Sequence, residues 1–497
     1  MIERRSLDAL IVGGGPAELA AAVGLWNRGI RDILIVEREK HLGGILRQCI
    51  HDGFGLTRFG RTLSGPEYAQ NYIDDVDRLK IPYITDAAVL NISSSRVVTV
   101  ASREGMTEYE AKAVILAMGC RERTRGALAI PGERPAGVFT AGVAQAYINL
   151  YNRMPAREVI ILGSGDVGMI MARRLTLEGA HVNGVFEIMP HPAGLPRNVE
   201  QCLNDYDIPL HLSHTVTKIH GRDRLTGVTI SEVDSSLKPI PGTEREYSCD
   251  TLILSVGLIP ENELSLGAGV RLDPRTGGAF VDRHYMTSVD GIFAAGNVLH
   301  VHDLADNVSL EAEEVSAYAA KYIREGALPA CTFPVEFGGD ERSRAGGSGD
   351  FKPPHADSPV MTREFTCTLC PNGCLITVDF ENADSADSGP GPAQGGPVIK
   401  SVQGNLCPRG AEYARQEIVD PRRTVSTSIL VEGGELPLTS VRLTAPIPKG
   451  RIMDAMAEIR RYKVKAPVKA GTVVIRDLLG LGSNVIVTKT VGAADAG

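Results

Sequence analysis

Asp8-Ala-Leu-Ile-Val-Gly-Gly-Gly-Pro-Ala17 and Glu158-Val-Ile-Ile-Leu-Gly-Ser-Gly-Asp-Val-Gly168 are the two stretches whose reading decides the fold. Each opens with a short apolar run, breaks into glycines and continues in a helical pattern, from Pro16 to Asn27 and from Met169 to Glu178. Each is followed by a second apolar run that ends on an acid: Ile33 to Val36 and then Glu37, His181 to Phe186 and then Glu187. Strand, glycine turn, helix, strand and acid make a dinucleotide-binding unit. The glycines let the backbone approach a pyrophosphate, and the helix start offers free N–H groups at the positive end of its dipole. One glycine pattern alone is a weak signal, whereas two complete units in one chain are specific. The expected fold class is α/β, with two Rossmann-like dinucleotide-binding domains and a small C-terminal cysteine domain.

The expected binding residues follow. In the first unit they are Gly13, Gly15, Pro16, Ala17 and Glu37; in the second, Gly163, Gly165, Gly168 and Glu187. Glu187 favours a free ribose 2'-hydroxyl and repels a 2'-phosphate, which points to NAD(H) although Arg173, Arg174 and Arg197 flank it. The first unit has Glu18 where the third glycine belongs. A glutamate there adds bulk at a close helix–strand contact and places an acid near the pyrophosphate, so weaker dinucleotide binding is expected.

Further pieces are Gly43-Gly44, Ala117-Met-Gly119, Ser255-Val-Gly-Leu-Ile-Pro260 and Gly291-Ile-Phe-Ala-Ala-Gly-Asn297. In this order they resemble the two-dinucleotide flavoprotein reductases, the class of thioredoxin and ferredoxin reductases, over roughly residues 6–330. The resemblance implies FAD on the first unit and NAD(H) on the second. It places Gly44, Gly119, Gly296 and Asn297 along the flavin, with Asn297 where that class has Asp. It also implies a helix near Asn307 and Val308 aimed by its N-terminus at the flavin. The implied domains are 1–125 with 266–335 for FAD, and 126–265 for NAD. Unlike disulfide reductases, residues 1–330 hold no closely spaced cysteine pair. Cys49 and His51 are weak catalytic candidates, read first as a packed thiol and a structural histidine. Three segments, Gly43 to Gly55, Leu175 to Gly179 and Gly296 to Asp303, resemble a narrower group. This group comprises FAD subunits of hydrogen cyanide synthase and opine oxidase, and components accompanying glycerol-3-phosphate dehydrogenases. That implies a partner flavoprotein dehydrogenase.

Cys367-Thr-Leu-Cys370-Pro-Asn-Gly-Cys374, with Cys407-Pro-Arg-Gly410, gathers four of the nine cysteines. Four thiolates suit a 4Fe-4S cluster or zinc. The three-plus-one spacing, with Pro408 after Cys407, favours the cluster over the two close pairs usual for structural zinc. Arg461-Tyr-Lys-Val-Lys-Ala-Pro-Val-Lys469 and Leu478-Leu-Gly-Leu-Gly482 belong to a stretch, 363–490, that resembles a domain of uncharacterised function found beside such reductases; the cysteine domain is expected over 361–497. Residues 336–360 read as a flexible linker that tethers this domain without fixing it, and Glu381 to Pro397 as a disordered insertion.

The 52 basic and 60 acidic residues give a net charge of -8, which argues against a nucleic-acid binder. No apolar run approaches the ~20 residues of a membrane span, and a cytoplasmic protein is expected. The function expected is an FAD-dependent NAD(H) oxidoreductase relaying electrons through the cysteine cluster to or from the partner. The alternative is a non-catalytic docking subunit with weakened flavin binding and a structural zinc.

Overall fold

The structure is a computed structural model that describes residues 3–335, 360–381 and 397–494. The linker read at 336–360 and the insertion read at 381–397 lie outside the described residues, apart from their end positions.

Ala9-Leu-Ile-Val12 is buried along its whole length because it is the centre of a sheet covered on both faces. The strand Glu3–Val12 pairs in parallel with Ile33–Val36 on one side and Gly105–Leu116 on the other. Side chains alternate along a strand, so Ala9, Ile11, Ile35 and Ile115 face one layer and Leu10, Val12, Val36 and Leu116 the other. The first layer holds the helices Pro16–Asn27, Gly65–Leu79 and Ala305–Glu325. The second is covered by the antiparallel strands Ala88–Ile92 and Val97–Ser102. Ile292–Ala294 joins beside Gly105–Leu116 and Tyr83–Ile84 beside Ile33–Val36; with the two antiparallel strands, which pair on from Gly105–Leu116, the sheet has seven strands among the described residues. Parallel neighbours require a crossover, and Pro16–Asn27 provides it, with Pro16 in the first turn where its missing N–H costs nothing.

The second unit repeats this plan in a five-stranded parallel sheet, ordered Val138–Thr140, Thr251–Leu254, Glu158–Leu162, His181–Glu187 and Leu210–Leu212. Its crossover helix is Asp166–Leu177, starting three residues before the Met169 expected from sequence. Gly165 caps it, and the Asp166 carboxylate suits the positive helix end. The chain leaves and re-enters the first unit through the paired strands Cys120–Glu122 and Leu258–Pro260.

The C-terminal part has two pieces. Val360–Thr366, Leu375–Glu381 and Val398–Gln403 form an antiparallel sheet under the helix Pro408–Val419. A mixed five-stranded sheet follows, with the helix Ile452–Ile459 against it. The expectation of a loosely tethered module gives way here. The core of this second piece takes in Leu177 from the crossover helix of the NAD-type unit. Asp205, with a side chain 2% exposed, pairs with Arg423 and, at 2.8 Å, with Lys449; Arg423 also pairs with Glu417. Arg442 donates to Glu67 at 3.0 Å and Thr424 to Asp52 at 3.0 Å, so the first unit is gripped too. Apolar contact and buried ion pairs therefore hold the cysteine-bearing part in place.

Burial alone would raise the pKa of Asp205, but hydrogen bonds and charge from Arg423, then Lys449, hold it below the ordinary 3.8. A depressed carboxylate pKa gives stability that is complete above the unfolded value and lost as pH falls through the folded one. Docking is therefore expected to loosen in acid below about pH 4. Asp205→Ala strands the buried Arg423 with one partner fewer, and a loss of about 3 kcal/mol is expected in urea unfolding at neutral pH. An unchanged midpoint would show that the pair does not hold the interface.

Candidate dinucleotide and cysteine sites

The first glycine turn is a close-packed floor. Gly13 has φ +111° and Gly44 φ +52°, and a Cβ on Gly44 would lie 2.9 Å from the Cα of Gly15. Only two glycines can bring backbone this near to backbone. The Gly43 N–H donates to the Gly14 carbonyl at 2.7 Å and locks the two segments together. A Cβ on Gly296 would meet Ala17 and Val308, which places Gly296 and the start of the helix Ala305–Glu325 beside Pro16 and Ala17. Gly55 N–H donates to Asp306 at 3.1 Å, tying the 43–55 segment to that helix start. Glu37 accepts from the Glu39 N–H at 2.7 Å, and burial raises its pKa. Asn297 donates to Cys120 Sγ at 3.5 Å and accepts the His302 N–H at 3.0 Å. Gly119 (φ +73°) has nothing within 4 Å of where its Cβ would point. Glycine turn, ribose acid and two converging helix starts fit a dinucleotide such as FAD at every position but one.

That position is Glu18. Its side chain is buried and folds back under the turn, with Oε1 only 2.1 Å from where a Cβ on Gly13 would stand. The carboxyl takes hydrogen bonds from its own N–H and from Gly15, donors a pyrophosphate would use. Burial pushes its pKa well above the ordinary range, and Glu37 adds to the push. The bulk expected between helix and strand is thus absorbed by the missing side chain of Gly13, and the carboxyl occupies N–H groups at the helix start.

The second turn is tighter. A Cβ on Gly163 (φ +96°) would lie 2.1 Å from the Ser255 carbonyl, and one on Gly168 2.6 Å from Ser255 Cβ. Glu187 accepts from Ser164 N–H at 2.8 Å, Ser164 Oγ at 2.7 Å and Met189 N–H at 2.9 Å. Arg174 turns away to Asn149 and Glu178. Sequence reading missed the residues that close over this turn. Ala193 N–H donates to Ser164 Oγ at 2.8 Å, and Leu195 N–H to Asp166 at 2.7 Å. Asp166 lay in plain view within the glycine motif, but the loop that reaches it carries no motif of its own.

Cys49 and His51 lie where the three parts of the chain meet. His51, Gln145, Asn149, Arg173, Arg174 and Ser426 line a small cavity there. Burial pushes the Cys49 thiol up to about 12, so it is protonated at neutral pH and is no ready nucleophile. Burial, with Arg173 and Arg197 nearby, pushes His51 down to about 3 and keeps it neutral. Its Nδ1 is buried without a hydrogen-bond partner.

The four clustered cysteines share one neighbourhood. Cys367 is buried, its N–H donates to the Cys374 carbonyl at 2.8 Å, and Cys407 caps the helix Pro408–Val419. Burial, then the nearby Cys370, Cys374 and Cys407, raise the Cys367 pKa. Among the described residues, no three of these sulfurs fall within 4.8 Å of one another. Gly373 rests on Pro196, where its Cβ would find Pro196 Cβ at 3.1 Å, and the Arg197 guanidinium lies against Gly53. The cysteine loop thus touches the second unit, and through Arg197 reaches the 49–53 segment.

Residues 7–312, more than half of the chain, match the family described as pyridine nucleotide-disulphide oxidoreductase, and residues 408–489 match a protein family of unknown function, DUF1667. The chain is 25% identical over 338 residues to the hydrogen cyanide synthase protein HcnB of Pseudomonas protegens, covering 64% of this chain and 69% of that one. It is 28% identical over 295 residues to the F component of the alkyl hydroperoxide reductase of Staphylococcus aureus, covering 59% and 54%. Thioredoxin reductases of T. acidophilum and Lactococcus lactis share the fold, each with a TM-score of 0.53 over 64% of this chain and nearly all of theirs, at 23% and 22% identity. Among the described residues no helix is long and apolar enough to cross a membrane.

Glu18 yields a direct test. Glu18→Gln keeps the shape and removes the charge, and Glu18→Gly also frees the donors. Removing an acid that competes at a helix start is worth about 1–2 kcal/mol, so FAD should bind the apoprotein roughly tenfold tighter by fluorescence titration. Because its pKa is raised, the carboxyl is neutral below that value and charged above it. Wild-type affinity should therefore fall as pH rises, and the glutamine variant should not follow. Equal, pH-independent affinities in all three proteins would show Glu18 to be inert.

Proposed function

Since the chain belongs to the pyridine nucleotide-disulphide oxidoreductase family, we propose that it is an FAD-dependent NAD(H) oxidoreductase relaying electrons through a 4Fe-4S cluster on Cys367, Cys370, Cys374 and Cys407. The cluster serves a partner flavoprotein dehydrogenase acting on glycerol 3-phosphate or on an amino or hydroxy acid. The observation that carries this reading is the seat of the cysteine loop on Pro196 and Arg197, with Arg197 against Gly53. A cofactor on those cysteines then lies next to the segment between the two dinucleotide turns.

When bound, FAD and NAD(H) supply hydride exchange, and the flavin can also pass electrons singly. The chain's own residues hold and orient. The Gly13–Gly15 turn and the Pro16 helix start take the FAD phosphates, Glu37 a ribose and Asn297 the ribitol. Gly163, Gly165 and Gly168 take the second pyrophosphate, and Glu187 the NAD ribose. Cys49 has no second thiol beside it and is protonated, which supports an exit for electrons other than a disulfide.

The three-plus-one spacing of the cysteines along the chain, with Pro408 directly after Cys407, supports iron–sulfur over zinc. The HcnB relative is named as a subunit, in keeping with work beside a second protein.

Iron and acid-labile sulfide analysis with the visible spectrum tests the cofactor; a colourless, zinc-containing protein would favour the docking alternative. Cys370→Ala should lose the cluster while NADH still bleaches the flavin in stopped flow, and transfer to the partner should collapse. Wild-type transfer by that variant would remove the cluster from the path. NADH should be preferred over NADPH by at least about tenfold in kcat/KM, because Glu187 repels a 2'-phosphate. The reverse preference would overturn that assignment.

A further inference from the structure

The turn that carries Gly296 and Asn297 runs on into His300-Val-His302, and the helix Ala305–Glu325 presents Glu311 to it. His302 Nε2 lies 3.3 Å from Glu311 Oε1, and His300 Nδ1 lies 3.7 Å from Glu311 Oε2. The two imidazole rings are 3.9 Å apart between centroids. One ligand atom from each of the three residues falls within 4.8 Å of the other two. His302 and Glu311 have side chains 9% and 8% exposed, whereas His300 is 33% exposed and opens the group to water. Nothing in the proposed function uses these three side chains.

We propose that His300, His302 and Glu311 bind one divalent transition-metal ion through nitrogen and oxygen. Metal–nitrogen and metal–oxygen bonds of about 2.0–2.2 Å put neighbouring ligands about 3.0–3.5 Å apart. The 3.3 Å separation, to Glu311 Oε1, lies within that range and the 3.7 Å separation, to Oε2, just beyond it, within a small side-chain adjustment. Two imidazoles and one carboxylate suit zinc, iron(II), manganese or cobalt rather than calcium or magnesium. The ligands are braced from behind, as metal ligands are: Gly296 N–H donates to Glu311 Oε1 at 2.6 Å, and Asn297 Oδ1 accepts the His302 N–H at 3.0 Å. The Glu311 oxygen keeps a second lone pair for the ion. The ion staples residues 300–302 to the second turn of the Ala305–Glu325 helix. This site stands apart from the cysteine cluster, and its braces Gly296 and Asn297 also belong to the proposed flavin seat.

The second group of this kind, Asp282, His284 and Cys331, includes a thiol and so separates spectroscopically. The test is equilibrium dialysis of the full chain against Co²⁺ after chelator treatment, with metal analysis, electron paramagnetic resonance and absorption. The Cys370→Ala and Cys331→Ser proteins should each retain one Co²⁺ that gives a high-spin signal without thiolate-to-metal charge transfer. His302→Ala should weaken that Co²⁺ by at least about a hundredfold. Should His302→Ala melt early, His300→Ala, at the exposed edge, decides instead with the same loss expected. Wild-type Co²⁺ binding in the folded histidine variants, or Co²⁺ seen only with thiolate charge transfer, overturns the site.

Discussion

A buried parallel strand cannot return to its neighbour directly; it must cross over, and the shortest cover for the crossing is a helix. Glu3–Val12 and Glu158–Leu162 both obey this, and both end at a glycine with positive φ that lets the helix start at once. The remainder of the molecule is arranged by that constraint. The helix starts, the acids Glu37 and Glu187, and the later glycines all collect at the same edge of their sheets. It is there that helix-start N–H groups are left open to an acceptor, and at the first turn the Glu18 carboxyl takes that place.

The same constraint decides which parts are legible in the sequence. Apolar runs, glycines and terminal acids are local consequences of the crossover, so both dinucleotide units can be read residue by residue. The helix Pro16–Asn27 and the strand His181–Glu187 fall where the patterns place them. The second helix starts earlier than its pattern suggests because Asp166 and Val167 are weak helix formers whose place is set by the dipole and by Gly165. Glu18 stands out as foreign to its motif, but the motif does not say where its carboxyl goes. That depends on the empty side of Gly13, a property of the folded turn.

Long-range placement is not legible. Nothing local marks Asp205 as the partner of Arg423, 218 residues away, or Arg197 as the support on which the cysteine loop sits. The four cysteines stand out by their spacing, yet their neighbour is fixed by an interface whose residues are ordinary in sequence. Likewise His300, His302 and Glu311 are unremarkable until a helical turn brings them together. Chemistry encoded in a motif is visible from the chain; chemistry assembled across an interface has to be seen folded.

The C-terminal part holds the first unit through Arg442 to Glu67 and Thr424 to Asp52, and the second through Arg423 to Asp205 and the burial of Leu177. Two domains joined by a pair of short strands ordinarily keep freedom to rotate about them. Here Cys120–Glu122 and Leu258–Pro260 would be the axis of such a rotation, and a third body is bolted to both sides of it. The brace removes that degree of freedom. The angle between the two dinucleotide turns is then a fixed dimension of the protein, and any change in it must first break the contacts of the C-terminal part.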